Sequence, residues 1–209
     1  MPQISRTAIN TYRTILSPTE GLYKDKGSKF LSFAHPIGSI DDAKHIVETY
    51  RKQFHDARHV CFAYIAGSET QQQRANDDGE PSGTAGKPIL GQIHALELTN
   101  TIVVVVRYFG GILLGTGGLT VAYREATRDA LSKAQIVTKD ITKRAKVSFP
   151  IDKTNEVMRL IRSTQATIVS QDYTDRYIYL LDIPNASVQS WRNTEYTIKV
   201  DFADSDIEG

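Results

Sequence analysis

The sequence predicts an α+β protein built from two units, and three observations lead there. Thr101-Ile102-Val103-Val104-Val105-Val106 is a continuous β-branched apolar run, as expected of a central strand buried on both faces. The segments on either side of it, around Ile89–Leu96 and Leu119–Leu131, space their apolar residues for helices. The last 70 or so residues alternate strand and helix patterns in the order βαββαβ, a split-βαβ arrangement. A chain of 209 residues is long enough for one or two domains with a real core, and the expected division is 1–138 and 139–209.

Taken in order, Gly21–Lys24 and Ser28–Ala34 read as a hairpin turning at Asp25-Lys26-Gly27. Ser39-Ile40-Asp41-Asp42 is a capping-box signal, and the helix after it aligns Ala43, Ile46, Val47, Tyr50 and Phe54 on one face. His59–Ala66 alternates as a second strand. Pro88 suits the first position of a short helix with Ile89, Leu90, Ile93 and Leu96 as its apolar face. Thr99-Asn100 turns into the valine strand, Gly110–Gly118 reads as a loop, and Leu119–Ala134 reads as a helix. In the second unit, Ala145–Ile151, Ala166–Thr174, Arg176–Ile183 and Tyr196–Phe202 read as strands, with helices at Lys153–Ser163 and Ala186–Arg192. The end, Asp201–Gly209, carries four acids and is expected to fray.

Composition narrows the function classes. Net charge is 25 − 24 = +1, and the two expected units carry +2 and −1, so bulk electrostatics does not announce a nucleic-acid wrapper. Any such contact must come from a local patch. No apolar run approaches the roughly 20 residues that span a bilayer, and the start lacks an apolar leader core, so no membrane association is expected. The single cysteine, Cys61, has no partner within the chain, which fits a reducing cytoplasm.

Nine of the 14 glycines fall between Gly79 and Gly118, which makes this stretch the first place to look for a site. Arg107-Tyr108-Phe109-Gly110-Gly111-Ile112-Leu113-Leu114-Gly115-Thr116-Gly117-Gly118-Leu119-Thr120 leaves a buried strand and opens a helix. A helix start offers unpaired amides and partial positive charge, and the acid-free first turn leaves room for an anion at Gly115–Leu119. Arg107 and Arg124 are candidates for charge-assisted phosphate contacts. The plainer alternative is that the glycines make tight packing turns.

Asp77-Asp78-Gly79-Glu80-Pro81-Ser82-Gly83-Thr84-Ala85-Gly86-Lys87-Pro88 feeds a second helix start. It is not a phosphate-binding Walker loop, since Pro81 stands where the first glycine belongs and Pro88 follows the lysine. Its acids Asp77, Asp78 and Glu80 suit a hydrated Mg²⁺, a basic side chain or a set of amides, with binding or loop order favoured over metal. His55, His59 and Cys61 raise a Cys–His nucleophile, but Cys61 within Val-Cys-Phe-Ala-Tyr looks like core. Lys26-Gly27-Ser28-Lys29, between Tyr23 and Phe30, is a basic turn with aromatic neighbours, suited to phosphates and stacked bases or simply to solvent. No catalytic residue and no cofactor are expected.

Three of these segments together resemble the IMPACT/YigZ family: Lys26–Phe30, Asp77–Leu90 and Val103–Thr127. The resemblance implies an N-terminal domain like a small-subunit ribosomal protein domain, GHMP kinases and domain IV of elongation factor G. It implies a ferredoxin-like C-terminal domain resembling domain V of that factor. Eukaryotic relatives add an RWD domain and restrain the kinase response to amino-acid starvation. This chain leaves no room for that domain, so that role is not expected to transfer. The leading expectation is a cytoplasmic binding protein for RNA or ribosome-associated factors, with Lys26, Lys29, Lys87, Arg107 and Arg124 framing the glycine loop. On that view Arg107→Ala or Gly117→Asp lowers affinity without unfolding the chain. The alternatives are an enzyme acting on a nucleotide or other phosphate-bearing molecule, and an adaptor whose second unit receives a protein partner.

Overall fold

The computed structural model describes residues 10–203; the expected fraying of the acidic end falls mostly on residues outside that range, as does much of the start in which no leader is expected. The protein is α+β with antiparallel sheets. Tyr12–Lys139 form one compact unit, and the described residues from Asp140 on, with Asn10 and Thr11, form another. No helix among the described residues is long and apolar enough to cross a membrane.

The first unit holds β1 (Thr11–Ile15), β2 (Thr19–Asp25), β3 (Ser28–Pro36), α1 (Ile40–Gln53), β4 (His59–Ala66), β5 (Gln72–Asn76), α2 (Gly86–Ala95), β6 (Thr101–Tyr108), α3 (Gly115–Ser132) and β7 (Ile136–Asp140). β1 pairs with β7, and the other five strands form a sheet in the order β2-β3-β6-β4-β5. β6 is central, and its side chains alternate between two cores. Val103 and Val105 pack with Ile89, Ile93, Leu119 and Tyr123 of α2 and α3. Ile102, Val104 and Val106 pack with Ala43 and Val47 of α1. Covered faces on both sides explain the unbroken apolar run. The same alternation carries Arg107 to the α2–α3 side.

α1 has the expected capping box: Asp42 N–H donates to Ser39 Oγ, and the Asp42 carboxylate accepts from the Ser39 backbone. Three differences from the sequence expectation matter. α3 begins at Gly115, not Leu119, so the glycines form its first turn rather than a preceding loop. α2 begins at Gly86, placing Pro88 third, where a helix still has no intrahelical use for the missing N–H. β1, β5 and β7 carry no apolar alternation and are invisible to it; β5 is an exposed polar edge.

The second unit runs β8 (Thr142–Phe149), α4 (Thr154–Thr164), β9 (Thr167–Tyr173), β10 (Tyr177–Pro184), α5 (Val188–Arg192) and β11 (Lys199–Phe202), with sheet order β11-β8-β10-β9. β11 is three residues shorter than expected, because Tyr196 to Ile198 precede the strand. Its core joins Val147, Phe149, Val157, Leu181 and Trp191, and the Trp191 indole N–H donates to Thr164 Oγ1 at 3.1 Å.

Candidate anion site at the start of α3

One end of the large sheet gathers the motifs. Strand register sets Lys29 opposite Tyr108 and Phe30 opposite Arg107. On the other side of β6, His59 stands opposite Arg107. The β2–β3 turn has two residues with positive φ, Lys26 (44°) and Gly27 (78°), the geometry of a tight hairpin turn. Gly110 lies directly against this turn. Its N–H donates to Ser28 Oγ at 3.1 Å, and a Cβ at Gly110 would collide with the Gly27 backbone. The lysine turn and the glycine loop are therefore one surface.

The 77–86 loop is organised from within. Asp77 accepts from the N–H groups of Gly83 (2.8 Å), Ala85 (3.0 Å) and Gly86 (2.8 Å), which closes the start of α2 with a carboxylate of the chain itself. Burial pushes its acidity one way, but the Gly83, Gly86 and Ala85 amides and the Lys87 charge outweigh it and hold its pKa below the ordinary carboxylate value. Asp78 accepts from Arg51 (2.7 Å) and from the Val60 N–H (2.7 Å). Glu80 is buried and takes Arg107 Nη1 at 2.6 Å and the Tyr123 hydroxyl at 2.8 Å. The three acids thus serve three different sets of partners. The Mg²⁺ reading of Asp77, Asp78 and Glu80 is set aside, and among the described residues no three His, Cys, Asp or Glu side chains converge on a common ion position.

Cys61 belongs to the same buried network. Its thiol lies 3.0 Å from the Asp77 carbonyl and 3.3 Å from the Tyr123 hydroxyl, and burial pushes its pKa well above the ordinary value. That is the opposite of an activated nucleophile. His59 Nδ1 is 2.8 Å from the Asp78 carbonyl, and its Nε2 is 3.9 Å from Glu80 Oε1. His55 is exposed.

α2 and α3 both lack a side-chain cap at the residue before them and an acid in the first turn, but among the described residues no remote carboxylate closes α3 as Asp77 closes α2. A Cβ built at Gly111, Gly115 or Gly117 would meet nothing within 4 Å. Gly111 and Gly115 have positive φ, which accounts for those two; Gly117 has neither a strained backbone nor a close neighbour. This helix start opens on a pocket of about 420 Å³. Arg58, His59, Glu80 and Arg107 supply its polar lining; Phe109 and Leu113 are among the apolar side.

The structure sorts the sequence candidates. Gly115 and Thr116 line the pocket, with Gly117 and Gly118 next in the same first turn. Lys26 and Lys29 are exposed on the turn that touches Gly110. Arg107 is not free at the helix mouth, because it is committed to Glu80. Arg124 lies nine positions beyond Gly115, roughly 13 Å along the axis, and its Nε meets Glu125 instead. Exposed Lys87 sits on α2 above Gly83. Ser82 is exposed and Thr84 closes a local turn onto the Pro81 carbonyl, so both belong to loop order. Gly79 lines the pocket and has positive φ. Phe30 is fully buried, edge-on to Tyr123, and is no stacking platform; Phe109, 43% exposed, is the aromatic on the surface. Sequence reasoning missed Arg58 and passed over Phe109: Arg58 lies just before β4, far along the chain from the glycines, and Phe109, just after β6, carries no local mark of its exposure.

Comparison with known proteins fits this geometry. The family model of the Impact N-terminal domain matches residues 26–131, a span running from the lysine turn through α3. YigZ of Escherichia coli, named an IMPACT family member, is 34% identical over 174 residues, 82% of this chain and 85% of that protein. A solved structure described as a hypothetical protein is 29% identical, covers 95% of this chain and all of its own, and superposes with a TM-score of 0.72. Yih1, described as a two-domain translational regulator, is 28% identical over 58% of this chain and 47% of its own, with a TM-score of 0.38. With the lysine turn, the acid-closed loop and the glycine-rich helix start all inside the matched span, the chain belongs to the IMPACT family.

Proposed function

We propose that this protein binds RNA, free or within the translation machinery, through phosphates seated on the first turn of α3. The observation that carries this reading is the open helix start. It has no side-chain cap, no acid in its first turn and two glycine positions, Gly115 and Gly117, with empty space beyond them. Amides in that state accept an anion without displacing any group of the protein. Lys26 and Lys29 extend the seat along the adjoining turn, so consecutive backbone phosphates meet charge on both loops. The βαββαβ unit, with its β11-β8-β10-β9 order, supports a ferredoxin-like reading of the second half. The likeness of the first half to a ribosomal protein domain and to elongation factor G is a fold analogy and contributes only direction. A buried, unpaired thiol suits a reducing cytoplasm.

The test is binding of a structured RNA followed by fluorescence anisotropy across a salt series. Affinity is expected to fall steeply with salt, and Lys26→Asn and Lys29→Ala are each expected to lower the salt slope by about 1. Gly117→Asp places a carboxylate in the seat and is expected to weaken binding at least about tenfold while the melting curve holds. Absence of RNA binding at low salt would overturn the proposal.

A further inference from the structure

The pocket beside α3 is much larger than one phosphate requires, and its polar groups are not all used. Arg107 lines it with a side chain only 7% exposed. Its Nη1 is held by Glu80, but its buried Nε–H has no partner. A buried guanidinium donor without a partner is costly, and this one belongs to a side chain that lines the pocket. Glu80 shows the complementary imbalance. Arg107 and Tyr123 both donate to Oε1, leaving Oε2 with no hydrogen bond among the described residues. His59 stands beside it: the Asp78 carbonyl can only accept, so Nδ1 donates to it, and Nε2 is turned toward Glu80.

The pocket therefore has three chemically distinct parts. At its mouth are donors: the first-turn amides of α3 and exposed Arg58, which has no carboxylate partner among the described residues. Inside are the Glu80 Oε2 acceptor and the His59 ring, beside Arg107. Along one side run the exposed ring of Phe109 and the exposed side chain of Leu113. A ligand that matches all three carries a phosphate, hydroxyl or amine hydrogens, and a flat apolar body. Its size suits about 420 Å³, near the lower end of small-ligand pockets.

Resting on the reading of α3 as a phosphate seat, we propose that the pocket takes one unpaired nucleotide. Its phosphate sits on the first turn of α3. Its sugar hydroxyls or exocyclic amine reach Glu80 and His59, and its base lies against Phe109 and Leu113. A paired base is stacked between neighbours and its amine is engaged, so a duplex offers only its phosphates. The site thus selects single-stranded or unpaired RNA over duplex.

The experiment uses the full chain and a labelled single-stranded RNA of mixed sequence, compared with its duplex, with 5′-AMP, adenosine and inorganic phosphate as competitors. The expected result is a single strand bound at least about tenfold more tightly than the duplex, and displaced by 5′-AMP at least about tenfold better than by adenosine or phosphate. Phe109→Ala is expected to weaken the single strand several-fold more than the duplex; equal weakening of both forms would overturn the base contact. Equal binding of both RNA forms, with 5′-AMP no better than phosphate, overturns the pocket proposal and leaves the phosphate seat standing. Selective 5′-AMP binding with no RNA binding supports the pocket and overturns the RNA reading. No binding of any probe overturns both.

Discussion

The loop at residues 77–86 and the loop at residues 109–115 use the same ingredients, glycines and small residues running into a helix, and they end in opposite states. In the first, Asp77 reaches six, eight and nine residues forward to the Gly83, Ala85 and Gly86 amides. The helix start is occupied and the loop is a structural latch. In the second, no acid or hydroxyl among the described residues accepts from the helix's first amides, and a Cβ at Gly115 or Gly117 would meet nothing within 4 Å. A glycine-rich helix start is a binding site only when the chain does not supply its own anion. One carboxylate decides the difference.

That contrast can be broken most forcefully at Arg107. It links the two loops electrostatically, since its partner Glu80 comes from the closed one and both side chains are buried. Arg107→Ala leaves Glu80 as an uncompensated buried charge and is expected to cost about 3–5 kcal/mol in chemical denaturation. This reverses the sequence expectation that the substitution affects binding alone. Arg107→Ala combined with Glu80→Ala should recover part of the loss; a single variant as stable as the wild type would show that the pair is not closed as described.

Asp77→Ala opens the closed helix start and is expected to cost about 2–3 kcal/mol, because three amides lose a charged acceptor. The pH dependence follows from the lowered folded-state pKa of Asp77. The unfolded chain binds the proton more readily, so the contribution of Asp77 is complete above the ordinary carboxylate value of 3.8 and is lost as pH falls through the lower folded value. The stability gap between wild type and Asp77→Ala should therefore narrow below about pH 4. Added sulfate should raise the variant's unfolding midpoint more than the wild type's, since the substitution frees the Gly83, Ala85 and Gly86 amides for an external anion.

The smallest effect sharpens the comparison most directly, because one substitution is made in both first turns. Gly117→Ala places a methyl in open space on a helical backbone and is expected to stabilise by about 0.5–1 kcal/mol. Gly86→Ala sets a Cβ 2.6 Å from the Asn76 nitrogen and is expected to destabilise by about 1–3 kcal/mol. Thermal unfolding of the pair distinguishes a glycine kept for packing from one that the fold itself does not require. Equal signs would remove the distinction.

Much of this molecule was legible residue by residue. The valine run of β6, the capping box at Ser39 and Asp42, the Lys26-Gly27 turn and the βαββαβ order are local patterns, set by side-chain periodicity and backbone preference over a few positions. That a glycine-rich, acid-free stretch leads into α3 was legible as well, because those residues are written consecutively, although the helix begins at Gly115 and not Leu119. Partnership was not. Glu80 and Arg107 are 27 residues apart, and Tyr123 is 43 from Glu80, so whether Arg107 is a free cation or a neutralised one depends on which strands lie side by side. The edge strand β5 was illegible for a related reason, being exposed and polar, with its pairing to β4 supplied by backbone groups that every residue carries. Periodicity is encoded along the chain. Neutralisation, pocket walls and edge pairing arise between segments, and their energies exist only once the sheet has brought those segments together.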